Sequence, residues 1–116
     1  MRPNETSAPV HHTILCTRRG FKPDALHVQR GDSVEFSGHT HLDQHVWVFE
    51  KKVRDTSLFG SDDIQVPNEG SLKACIRTIS ESAKHVTYDI QLWNEKDPKS
   101  EPMNGTITVN HGQGEG

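Results

Sequence analysis

A chain of 116 residues has room for one hydrophobic core and not two, because halves of that size bury too little surface to fold without staples. Only 31% of the residues are apolar, so the core must come from elements that bury one face each, and no run approaches the roughly 18 apolar residues of a membrane-spanning helix. The formal net charge of -3 is mixed along the chain, with Arg18-Arg19 and Lys51-Lys52 set apart among acids, which argues against the basic stripe of a nucleic-acid binder.

The chain starts MRPNETSAP, which is polar and has no apolar h-region. Residues 1–10 are expected to be disordered, and a periplasmic location would require a signal already removed. From His12 to Thr108 short strand patterns alternate with turn signals, with no helical period of useful length, which predicts an all-β domain over 11–110. Ile14 to Thr17 reads as the first strand, with Ile14 and Cys16 inward, and Gly20 to Pro23 as a bend. Leu26 and Val28 alternate with polar neighbours, Arg30-Gly31-Asp32 makes a tight turn, and Val34 and Phe36 alternate again, which together predict a hairpin.

The stretch SGHTHLDQHVWVFE places His39, His41 and His45 at the entrance to an apolar strand. His45, Trp47 and Phe49 share one face of that strand, expected to be the inner one, opposite Val46 and Val48. Residues 50–70 mix charges with a few apolar positions and predict an irregular excursion. Strand character returns at Leu72 to Ile79, with Leu72, Ala74 and Ile76 inward and Cys75 outward. That placement argues against a bond between Cys16 and Cys75 and predicts two reduced thiols.

Val86 to Trp93 forms the next strand, with Tyr88, Ile90 and Leu92 on one face. NEKDPKSEP is a polar loop, Asn104-Gly105 a turn into the last strand with Ile107 and Val109 inward, and residues 111–116 a glycine-rich disordered tail. Strands at this spacing suit a Greek-key β-sandwich.

The runs GFKPDALHVQRGDSVEF, QHVWVF, YDIQLW and MNGTITV together resemble the cupredoxins, the plastocyanin-like copper proteins, over roughly Gly20 to Val109. The resemblance implies a first copper ligand at His45 and a weak axial ligand at Met103. It also implies a cysteine where Leu92 stands and a second histidine in the loop from Trp93 to Pro102, which contains none. A blue-copper centre needs two histidines and a short copper-thiolate bond, so electron transfer of that kind is not expected.

Two readings follow. In the first, His45, His41, His39 and Met103 form a non-blue site for copper, or for another divalent transition metal, in a metal-handling protein. Asp43 would then serve as a ligand or as a partner that orients an imidazole. In the second, a metal-free cupredoxin-like module presents loops or a sheet edge to a protein partner. His11, His12, His27, His85 and His111 are assigned to no site. No nucleophile elbow, phosphate loop or paired zinc-binding motif is present, and no enzymatic activity is expected.

Overall fold

The structure is a computed structural model that describes residues 8–94 and 101–111. The expected disorder at 1–7 and 112–116, and the polar loop at 95–100, lie outside the described residues. Among the described residues ten strands follow in order: β1 (His11–Thr17), β2 (Gly20–Lys22), β3 (Ala25–Val28), β4 (Ser33–Gly38), β5 (Gln44–Glu50), β6 (Val53–Arg54), β7 (Asp63–Val66), β8 (Ile76–Thr78), β9 (Thr87–Asn94) and β10 (Met103–Val109). The fold is all-β. Among the described residues there is no helix, and so none long and apolar enough to cross a membrane.

Two mixed sheets share one core. The four-stranded sheet runs β2-β1-β4-β8, and the six-stranded sheet runs β3-β10-β9-β5-β6, with β7 also paired to β5. Ile14, Cys16, Val34 and Phe36 come from the first sheet and meet Val46, Val48, Ile64, Tyr88, Ile90, Leu92, Ile107 and Val109 of the second. All of these are buried, and burial of a Val, Ile, Leu or Phe side chain contributes about 1.5–3 kcal/mol.

The expected hairpin between β3 and β4 is not formed. β3 pairs with β10, while β4 pairs with β1 and β8, so the Arg30–Asp32 turn carries the chain from one sheet to the other. Turn chemistry fixes a reversal of direction but not the partner of the next strand. The buried carboxylate of Asp32 fastens this crossing. Its Oδ1 accepts the Val10 N–H at 2.9 Å, and its Oδ2 accepts the Gln29 N–H at 2.9 Å and faces His12 Nε2 at 2.9 Å. Val10, which also accepts a bond from Ser33 N, therefore already belongs to the fold.

Residues 50–70 are more ordered than their composition suggests, because β6 and β7 both pair with β5 and Leu58 is fully buried. Strand pairing within 72–79 is confined to β8, and the parity there is reversed. Leu72 is fully exposed and Ile76 is exposed, while Cys75 and Ile79 are buried. Cys75 O accepts the Phe36 N–H, which puts residue 75 beside an inward position of β4 and fixes the face.

Asn104 and Gly105 lie within β10 and make no turn. Gly105 is needed for close approach, since a Cβ there would stand 2.8 Å from the Phe21 ring and 2.9 Å from the Asp24 carbonyl oxygen. The buried hydroxyl of Tyr88 accepts the Lys84 N–H at 2.9 Å and donates to Ser57 Oγ at 2.6 Å, and Ser57 Oγ in turn donates to Asp55. That last bond holds the Asp55 carboxyl below its usual range.

Both cysteines are free and buried, and Cys75 faces inward where the sequence pattern predicts it outward. β4 stands between β1, which carries Cys16, and the segment entering β8, where Cys75 O accepts the Phe36 N–H. Two strand spacings are about 10 Å, beyond the roughly 4.4–6.8 Å between Cα atoms that a disulfide spans. Burial, with a contribution from Cys75, pushes the Cys16 thiol up to about 12.

Two predictions follow from these local features. Burial alone would raise the Asp32 pKa, but bonds from Val10, His12 and Gln29 outweigh it and hold the folded value below the ordinary 3.8. Its stabilising contribution is thus fully present above pH 3.8 and is lost as the pH falls through the lower folded value. An asparagine has one acceptor oxygen for two backbone donors, so Asp32→Asn should destabilise by about 1–3 kcal/mol in urea unfolding at neutral pH. The wild-type advantage should shrink in acid. Lys51 and Lys52, at φ 53° and 69°, form the two-residue β5–β6 turn in a left-handed conformation that favours Asn-Gly. The double change Lys51→Asn and Lys52→Gly should raise stability by about 1 kcal/mol, read as a higher denaturant midpoint at unchanged slope.

Candidate functional site

Side chains alternate along β5, and burial identifies the faces. Gln44, Val46 and Val48 are buried, whereas His45, Trp47 and Phe49 are half-buried on the outer face. This reverses the expected facing of the strand. Both sets contain apolar residues, so the period alone was ambiguous. Cross-strand register resolves it: Val46 lies beside Leu92 of β9, and Leu92 beside Met103 of β10, forming one inward row.

The four expected ligands are therefore divided. His45 is beside Trp93 and Gln65 on the outer face, whereas Met103 is on the inner face, packed against the core and against Gly20. His39 and His41 are exposed in the loop between β4 and β5. His39 donates its backbone N–H to Cys16 O at 2.9 Å, and its Nε2 lies 3.2 Å from Ser37 Oγ. Among the described residues, no group of three or more His, Cys, Asp or Glu side chains is arranged to hold a metal ion.

The inner position at the start of β5 belongs to Gln44, which sequence reasoning missed. Gln44 is 1% exposed, and its Nε2 donates to Asn94 Oδ1 at 3.1 Å. Its Oε1 has no hydrogen-bond partner. Gln44 and Asn94 are paired, next to Val46 paired with Leu92, so an amide pair and a leucine occupy the inner layer at this end. The signal was available in the spacing Tyr88, Ile90, Leu92: continued by one step it reaches Asn94, and its partner on β5 must face the same way.

The loop bearing the histidines is tightly held. Thr40 is buried, its Oγ1 donates to Leu42 O, and its carbonyl accepts the Glu69 N–H at 2.8 Å. Asp43 Oδ1 accepts both the backbone N–H and the side-chain amide of Asn68, at 3.0 and 2.9 Å, so this oxygen ties two loops together. Gly38 permits the approach, since a Cβ there would meet the Pro67 carbonyl oxygen at 2.1 Å.

On the outer face a row of side chains crosses three strands. The Arg54 guanidinium lies 4.3 Å from the Trp47 ring centroid, and the Trp47 and Trp93 rings are 4.8 Å apart at 43°. Such cation–π and aromatic pairs contribute about 0.5–1.5 kcal/mol each. Arg54 also donates to Asp62 at 3.1 Å, and His45 Nδ1 is 3.0 Å from Asp63 Oδ1.

A separate cleft of about 400 Å³ opens between β7 and the segment leading into β8, lined in part by Gln65, Lys73, Cys75 and Arg77. Cys75 Sγ donates to Gln65 O at 3.3 Å, and burial raises the thiol pKa, so its nucleophilic form is disfavoured.

The Gly38→Ala variant should be destabilised by about 1–3 kcal/mol through overpacking. Its largest amide shifts in NMR should fall on both tethered loops, residues 39–43 and 67–70. No family model matches the chain, and no curated protein sequence matches it.

Proposed function

We propose that this chain is a cupredoxin-like Greek-key sandwich that works as a metal-free protein-interaction module. The observation that carries this reading is the Gln44–Asn94 amide pair beside Leu92, on the inward row that ends at Met103. If the family's ligands converge on one ion near Met103, they must share its face. On that face the chain offers amides and a leucine, which supply neither the imidazoles nor the thiolate of a blue-copper centre. The outer face of the six-stranded sheet is the favoured contact surface. Its half-buried Trp47 and Trp93, with Arg54, are the residue types that dominate binding energy in protein interfaces.

One observation favours metal handling as a second reading. The Asp63 carboxylate holds His45 Nδ1, an arrangement that elsewhere fixes the tautomer of a metal-bound imidazole. Competition titration with Cu(II) and Cu(I) against a chelator separates the two. In the interaction-module reading, wild type and His45→Ala bind copper with affinities within twofold of each other. A one-to-one site weakened tenfold or more in His45→Ala would sink that reading in favour of metal handling through His45.

A further inference from the structure

β8 closes the four-stranded sheet, and among the described residues no strand pairs with its outer edge. Phe36 N donates to Cys75 O at 2.9 Å and Ile79 N to Asp32 O at 2.7 Å, which sets the parity of the ladder. In that antiparallel register Cys75, Arg77 and Ile79 turn their backbone groups toward β4, so those of Ile76 and Thr78 point away from it. The Ile76 N–H and both backbone groups of Thr78 meet no partner among the described residues, whereas the Ile76 carbonyl accepts Arg77 Nη1 at 3.0 Å.

The edge of β7, on the other side of the cleft, is closed by comparison. Ser61 Oγ accepts the Asp63 N–H and donates to Asp63 O, Cys75 Sγ donates to Gln65 O, and Pro67 has no N–H to offer. The two sides of the open β8 edge differ in chemistry. Alternation turns Lys73, Cys75 and Arg77 toward the cleft of about 400 Å³, where the one carboxylate, Asp43, is already tied to Asn68. The outer side carries the exposed Leu72 and Ile76, with Glu35 beside Ile76. A strand added here would lay one set of side chains over a cationic cleft and the other over an apolar surface.

We propose that the β8 edge takes an extended segment of a protein partner in which acidic residues, aimed at Lys73 and Arg77, alternate with apolar residues laid over Ile76. Main-chain bonds to Ile76 and Thr78 supply affinity, and the alternating side chains supply specificity. Arg77 is the selector. While it covers the Ile76 carbonyl it obstructs a neutral strand, and a partner carboxylate that draws the guanidinium into the cleft frees that carbonyl for an incoming N–H. A second copy of this chain adding through the same edge would set Lys73 and Arg77 against their own counterparts, so like charge disfavours self-pairing. The proposal rests on the interaction-module reading and adds to it a surface apart from Trp47 and Trp93.

The full chain, followed by amide NMR, is titrated with a capped peptide of about eight residues that alternates glutamate with valine. Saturable binding should move the amides of residues 73–78 and slow hydrogen exchange at the Ile76 and Thr78 N–H groups. It should weaken about tenfold or more in Arg77→Gln, and as much when lysine replaces glutamate in the peptide. The peptide change leaves the protein untouched, so it separates lost recognition from lost folding. Amides of 73–78 that stay still, or affinities within about twofold for the glutamate and lysine peptides, would overturn the proposal. So would a dimer that moves the same amides without peptide. Shifts confined to Trp47, Trp93 and Arg54 would also overturn it, while leaving the interaction-module reading in place; that reading fails separately, by a one-to-one copper site at His45.

Discussion

The constraint on which the rest of the molecule depends is the inward row Val46–Leu92–Met103, repeated one step on as Gln44–Asn94 and one step back as Val48–Ile90–Gly105. Strands paired in register must agree about which side is the interior. Once Tyr88, Ile90 and Leu92 are buried, β5 and β10 have no freedom left. A slip of one residue on β5 would drive Trp47 and His45 into an interior filled by valines and expose Val46 and Val48. The same alternation that builds the core sends His45 away from Met103, so fold and site chemistry are decided by one parity.

The chain passes repeatedly between the two sheets, and several of these passages are held by contacts that tolerate little change. Asp32 gathers the donors at the crossing from β3 to β4, while Asp43 and Asn68 join the loops beyond β4 and β7. Gly38 and Gly105 admit neighbouring backbone or an aromatic ring where a side chain would collide. At the edge of the smaller sheet, Arg77 is beside the buried Val34 and lines the opening between the sheets. A charge turned inward at an edge discourages a strand that lacks the opposite charge from adding there.

Much of this was legible in the sequence, and the failures have physical causes. The all-β class, the facing of β1 and β9 and the inward Ile107 and Val109 follow from alternation with one apolar face. Both faces of β5 are apolar, so alternation alone favours its large aromatic pair over two valines as the inner set, the reverse of what cross-strand register imposes. Leu72 to Ile79 failed similarly, since Cys75 counts as a weak core signal and Ile76 as a strong one, whereas the bond from Phe36 N decides the matter. Asn104-Gly105 has the composition of a turn but answers to the proximity of Phe21, which no local window contains. The histidine cluster was visible as composition. Its separation from Met103 was not, because that depends on cross-strand register.

The placement of β4 between the two thiol-bearing segments has a consequence for the life of the chain outside its native state. Oxidation cannot join Cys16 to Cys75 while the sheet is intact, so a bond between them records an episode of unfolding and then prevents return to the native register. The two sulfurs, buried and unreactive in place, also act as clocks. An alkylating reagent reaches them only when the structure opens, and the pace of labelling reports how often it does.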